Sequence, residues 1–342
     1  MSDKKTSPAV SIMPASRGDS CRPAMSAFLD RVLDCIYAEG LNGTRSPDRV
    51  CVDGYCGTTH VVETPQDLQT VDGNHVLETV SVRNGLPVTA EQTPFSDRDI
   101  DFVNRFATTG ALIRDQQTGG LVFVSQLCNY QGFDEALGLY GQLVAGSALA
   151  QSYGSMAALG VPDAPVADSA GAGTATGCPG GQSRWGEGDF SAAAKLLNRL
   201  GCLSNASGNG LTSEFPWAHG AVSAVIGDET CLFTMQSDLR CPPLGEGLSF
   251  RLELPRSFPE TELIQIVSKL NWLETGALDM PPFFGAWSTR IACSAAAELT
   301  GRICFAGFWP DLMFHPGSAQ NLAVWMRQRA VFAREVIENQ RY

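Results

Sequence analysis

Positive charge is scarce in this chain. Its 342 residues carry 24 Lys and Arg against 36 Asp and Glu, a net charge of −12, and both halves are acidic. That balance disfavours a nucleic-acid partner, whose backbone needs a basic patch, and it disfavours binding to an anionic membrane surface. Its plain consequence is solubility, because like-charged molecules stay apart. Histidine is scarcer still: His60, His75, His219 and His315 are all there are. None lies in an H-E-x-x-H helix, and no Ser sits in a G-x-S-x-G turn. Long apolar runs are missing too. No stretch approaches the roughly 18 apolar residues of a helical membrane span, so no membrane insertion is expected. The richest run, 137–150, is broken by Gln142 and has amphipathic spacing. Lys4 and Lys5 have no apolar segment behind them, so a secretion signal is not expected and the location expected by default is cytoplasmic. Residues 1–20, rich in Ser, Pro and charge, read as a disordered tail.

Cysteine, by contrast, is abundant. There are 11, an odd number, so at least one cannot pair within the chain. Without a secretion signal the thiols are expected to be reduced. A buried one, such as Cys304 in the strand-like run 303–308, then serves as a small apolar residue. Cys51-x4-Cys56-x3-His60 is the best metal candidate, since thiolate and imidazole ligands suit zinc. A structural zinc wants four ligands, however, and the fourth is not evident; Cys35 or His75 could fold back. The competing reading is a Cys-containing strand and turn, and no metal or other cofactor is assigned. Gly171-x-Gly173-x3-Gly177 has the glycines of a dinucleotide loop without its setting between a strand and a helix.

That glycine motif belongs to a stretch, 161–183, dominated by Gly and Pro and almost without large apolar residues. It reads as a linker and divides the chain into 21–160 and 184–342. At this length two domains are expected. The first half opens with a helix carrying Met25, Phe28, Leu29, Val32 and Ile36 at helical spacing, stopped by Gly40. Strands follow near 50–52, 60–63 and 76–82. Ser96 then caps a helix with acidic residues in its first turn. Its core face holds Ile100, Val103 and Ala107, widened by Phe102 and Phe106. Strands 111–114 and 121–127 and a long helix over 134–159 complete the half. The second half repeats the order. A helix with Phe190, Ala193, Leu197 and Leu200 ends at Gly201. The strands are 210–215, then 221–226 with 231–237, then 248–254, where Leu248, Phe250, Leu252 and Leu254 alternate with polar residues. Pro259 opens a helix striped by Leu263, Ile266, Val267 and Leu270. Strands 284–290 and 302–309 and a final helix with Leu322, Trp325, Phe332 and Val336 close the chain.

The halves also share short identities. Residues 103–112, Val-Asn-Arg-Phe-Ala-Thr-Thr-Gly-Ala-Leu, read against 270–278, Leu-Asn-Trp-Leu-Glu-Thr-Gly-Ala-Leu, and Thr118-Gly119-Gly120-Leu121-Val122-Phe123 against Thr300-Gly301-Arg302-Ile303-Cys304-Phe305. Such self-similarity is the mark of a duplicated unit. The expected fold class is therefore α+β: two tandem α-β-β-β-α-β-β-α units, each an antiparallel sheet packed with helices. This order of elements resembles the type III secretion chaperone-like fold shared by the bacterial YbjN-like proteins, over about 21–160 and 184–342. The resemblance implies a chaperone-like unit, with two copies in one chain imitating the dimer such chaperones form. It supplies no catalytic residues.

Strand 302–309 is apolar on both faces, with Phe283, Phe284 and Trp287 in the neighbouring strand. A sheet covered by helices on one side only would leave such a face over for a partner segment; a central strand buried on both faces is the alternative. The first reading makes Phe283, Trp287, Phe305 and Trp309 the anchors for a protein or peptide partner. The expected function is accordingly a non-enzymatic protein-binding module, acting through an apolar sheet face or an inter-domain groove, as a monomeric pseudo-dimer or a homo-oligomer. Two alternatives remain. One is a small-molecule or hydrolytic site between the halves, with His219, Glu214 and a cysteine as its polar groups. The other is a structural subunit of a larger complex.

Overall fold

The computed structural model describes residues 29–30, 33–34, 37–38, 42–47, 49–54, 57–69, 76–85, 96–105, 109–116, 119–130, 183–217, 229–241, 245–276, 280–291 and 300–339. They form a mixed α/β molecule with two antiparallel six-stranded sheets. In the first half the strands are β1 (Asn42–Ser46), β2 (Arg49–Gly54), β3 (Gly57–Gln69), β4 (Val76–Gly85), β5 (Ala111–Arg114) and β6 (Leu121–Tyr130). The second half has β7 (Leu203–Ser207), β8 (Gly210–Pro216), β9 (Thr230–Cys241), β10 (Gly245–Pro259), β11 (Ala286–Ile291) and β12 (Thr300–Pro310). Four helices have described bounds: α1 (Asp97–Asn104), α2 (Glu187–Arg199), α3 (Glu260–Gly276) and α4 (Ser318–Asn339). Leu29, Asp30, Leu33, Asp34, Tyr37 and Ala38 are helical as well.

The strand orders are β1-β2-β3-β4-β6-β5 and β7-β8-β9-β10-β12-β11, the same path drawn twice. Each half puts four strands, not three, ahead of its middle helix. The additional strands, β1 and β7, read Asn-Gly-Thr-Arg-Ser and Leu-Ser-Asn-Ala-Ser. Neither has an apolar alternation to announce it. Both are edge strands, where one side of the backbone meets no neighbouring strand and polar residues are tolerated. The expected helix at 134–159, the linker 161–183 except for Ser183, and the strand 221–226 lie outside the described residues.

Local sequence explains the helix ends. Ser96 and Asp99 form a capping box: Ser96 Oγ accepts from the Asp99 N–H, and Asp99 Oδ2 accepts from the Ser96 N–H at 2.8 Å. Gly201, at φ +83°, supplies the left-handed residue that terminates α2.

Sheet two packs its main core on one face. Leu248, Phe250, Leu252 and Leu254 of β10 align with Phe305 and Trp309 of β12 and with Phe233 and Met235 of β9, and all are buried. Helices α2, α3 and α4 cover this face. On the opposite face Leu203, Glu214 and Leu232 are exposed, while Cys304 and Phe308 are buried. Beneath α1, sheet one has a separate small core of Ile100, Val103, Leu112, Leu121 and Phe123. Phe102, expected to widen the core face of α1, is 39% exposed; it points away from the strands. The larger core cluster is continuous from Leu29, Val50, Val82 and Val124 into the second half.

Candidate functional site

The halves meet along β5 and β11, the edge strands of their sheets, and along α1 and α3. Side chains rather than a continuous ladder make the joint. Asp101, 1% exposed, accepts the Thr289 N–H through Oδ1 and the Thr289 hydroxyl through Oδ2, both at 2.7 Å. Arg105 donates from Nη2 to Asp101 Oδ2 at 2.7 Å and to Thr289 Oγ1 at 2.7 Å. The Gln126 N–H donates to the Phe283 carbonyl at 2.7 Å, and the Phe283 N–H returns a bond to Gln126 Oε1 at 2.9 Å. A buried carboxylate so fully bonded is tolerated, whereas an unpaired one would not be.

Two asparagines finish the edge strands in one manner. Asn104 of α1 takes the Leu112 N–H on Oδ1 at 2.7 Å and donates Nδ2 to the Leu112 carbonyl at 3.0 Å. Asn271 of α3 takes the Trp287 N–H at 2.9 Å and donates to the Trp287 carbonyl at 2.8 Å. Each amide replaces the strand that an edge lacks. The pairing revises one sequence match. Leu112 corresponds to Trp287, not Leu278, and Gly110-Ala111 to Gly285-Ala286. At both glycines a Cβ would collide with a carbonyl oxygen of the neighbouring strand, Val124 for Gly110 and Ala306 for Gly285. The other match holds in register: Phe123 lies opposite Leu112, as Phe305 lies opposite Trp287.

Phe283, Trp287, Phe305 and Trp309 do come together. The rings of Phe283 and Trp287 lie 5.9 and 5.2 Å from that of Phe305, and Phe284 bridges to Trp309. All four, however, are at most 1% exposed. Helix α4 covers them: Trp325 stacks on Trp309 at 5.7 Å, and the Arg329 guanidinium sits 4.5 Å from the centre of the Phe305 ring. Arg329 also lies 2.6 Å from Glu274 Oε1 and donates to the Pro282 carbonyl at 2.5 Å, and Trp287 Nε1 donates to Glu274 Oε2 at 2.6 Å. Burial pushes the Glu274 carboxyl pKa up, and the Arg329 charge with the Trp287 bond pulls it back. The four aromatics are thus core in this fold, and a partner would reach them only by displacing α4.

What remains open is a cleft of about 340 Å3 at the joint. One wall is the first sheet, with Arg83, Ile113, Asp115 and Val122; the other is the C-terminal turn of α3, with Trp272, Leu273, Thr275 and Gly276. Register puts Arg83 beside Val124, and Val122 beside Ile113, on one sheet face. Trp272 is 38% exposed at the rim, and Arg83 makes no ion pair among the described residues. Trp272 was legible as an anomaly: it is bulky yet falls off the stripe of Leu263, Ile266, Val267 and Leu270 that buries α3.

No protein-family model, no curated protein and no solved structure matches this chain.

The remaining sequence candidates are scattered. Cys51 pairs in register with His60 across β2 and β3, but Cys56 and His75 lie outside the described residues, and those described contain no cluster of three metal-ligating groups. His219 is also outside them, and Glu214 points outward on β8. His315 lies just ahead of α4, its Nδ1 2.7 Å from the Pro316 carbonyl. Burial raises the thiol pKa values of Cys202, Cys231 and Cys304, that of Cys304 to about 12. A protonated buried thiol is a poor nucleophile. No described helix is long and apolar enough to cross a membrane.

Proposed function

We propose that this chain is a non-enzymatic polypeptide-binding module, built from two tandem chaperone-like α+β units that correspond to the two halves, with its site in the cleft where they meet. The carrying observation is the cleft itself: an exposed tryptophan, an apolar floor of Ile113, Val122 and Leu273, and an arginine at one end. Large aromatics and arginine are the residue types on which partner capture most depends, and an apolar floor receives a side chain of the bound segment. The common strand order and the paired Asn104 and Asn271 clasps support the tandem reading. The cleft replaces the four aromatics as the contact surface, since those are buried.

A second reading is favoured by size, because about 340 Å3 suits a small molecule as well as a side chain. One experiment separates them. The tagged chain and its Trp272→Ala variant are purified gently from native cells, and both protein and small-molecule contents are identified. Near-stoichiometric polypeptide on the parent, lost from a variant of unchanged melting temperature, is the expected result. Polypeptide retained equally by both removes the cleft. A small molecule alone, lost from the variant, establishes the second reading.

A further inference from the structure

The cleft at the joint has a polarity that its occupant must match. Among its described lining residues Arg83 is the one cation and Asp115 the one anion. Arg83 is exposed and makes no ion pair with any described residue. The chain has 36 acidic against 24 basic residues, so this guanidinium is left over although carboxylates are in excess. Register fixes where it stands. Arg83 lies opposite Val124, one row along from Gly85, Val122 and Ile113, which lie opposite one another on β4, β6 and β5. Residues directly opposed share a face, so Arg83 and the apolar floor belong to one side of the sheet. Arg83 and Val122 are diagonal neighbours, about 7–8 Å apart. Gly85 keeps the floor open beside them: a Cβ there would meet no atom within 4 Å.

We propose that Arg83 makes the cleft selective: the captured segment carries an Asp or Glu within two residues of the large apolar side chain that fills the floor. This rests on the reading of the cleft as a polypeptide site. The spacing suits it, because side chains two residues apart on one face of an extended segment are about 7 Å apart, close to the step from Val122 to Arg83. A guanidinium takes a carboxylate through two parallel N–H bonds. Contact with Trp272 and the floor supplies the affinity, and the ion pair supplies choice among apolar segments. A run of acidic residues does not fit. Asp115 stands on the Arg83 wall. The facing wall is the C-terminal turn of α3, the negative end of its dipole, and that turn holds no basic residue. The overall charge of −12 repels an acidic tract as well. The fitting pattern is one acidic residue beside one apolar residue.

Random linear peptides displayed on phage, selected on the full chain and on its variants, test this. On the parent the expected enrichment is a large apolar residue with Asp or Glu within two positions. Arg83→Gln is expected to keep the apolar preference and lose the acidic one, and Arg83→Glu to exchange it for Lys or Arg. Gly85→Leu fills the open floor and is expected to lose both; should it unfold, Trp272→Ala takes its place. For the best peptide, Arg83→Gln lowers affinity about two- to fivefold at low salt. The same peptide with Gln in place of its acidic residue shows no such loss on that variant. An acidic preference that survives Arg83→Gln, or apolar enrichment without an acidic residue, overturns the selectivity and leaves the capture reading standing. No enrichment on the parent, or enrichment untouched by both Gly85→Leu and Trp272→Ala, removes the capture reading and the selectivity together.

Discussion

The two halves follow one strand path, and among the described residues they pack it very differently. Under α3, of 17 residues, the second sheet buries Trp287 and Phe305 beneath a further helix and a buried ion pair. Under α1, of 8 residues, the first sheet buries Leu112 and Phe123 in a cluster that among the described residues has five side chains. Where the second half has Glu274, the residue three beyond the clasping asparagine, the first has Ala107 in the same place. A shared path therefore does not require a shared core. What the halves keep in common is backbone bookkeeping at the edges: an asparagine clasp and a glycine where two chains pass closely.

The largest break in this comparison is expected at the ion pair. Arg329→Met leaves Glu274 buried without its cation and is expected to cost about 3–5 kcal/mol in urea unfolding; restoring most of that loss with Glu274→Gln in the same chain would tie it to the pair. Next, Phe305→Ala is expected to cost about 3–5 kcal/mol, and Phe123→Ala clearly less, because its smaller cluster can relax. Equal losses would show that the two cores are equally tight. The clasps should be closer to parity. Asn271→Ala and Asn104→Ala each orphan one edge N–H and carbonyl, for about 1–3 kcal/mol, read as paired shifts in melting temperature. The smallest effect is chemical. Cys202, Cys231 and Cys304 should alkylate only on unfolding, because burial keeps their thiols protonated, and peptide mapping at neutral pH reads this directly.

The strands that alternate were legible in the sequence. β10 shows Leu248, Phe250, Leu252 and Leu254 on one face, and the capping box at Ser96 announces α1. β1 and β7 were not, because an edge strand can be defined by a two-residue turn and a helical side chain bonded to its outer backbone, Tyr37 for β1 and Asn198 for β7, rather than by apolar residues. The Thr-Gly-Ala-Leu identity misplaced one boundary: the glycine that matters is Gly285, where the neighbouring carbonyl leaves no room, not Gly276 in the identical letters. The four aromatic anchors were legible as apolar but not as covered, since which face α4 occupies is a matter of tertiary packing. Arg83 and Asp115 carried no signal at all; only the meeting of the halves brings them beside Trp272.

The joint has a mechanical consequence. Within each sheet, neighbouring strands are tied by ladders of backbone bonds, whereas the halves are tied by Asp101, Arg105 and Gln126 acting on Thr289 and Phe283, by the Arg98–Glu260 ion pair, and by a shared apolar core. Separating the halves would therefore break side-chain contacts and open the shared core, without unzipping a continuous ladder of backbone bonds. Asn104 and Asn271 would keep both exposed strand edges occupied as the seam opened. The halves could then re-seat on each other without the raw edges zipping onto a stranger.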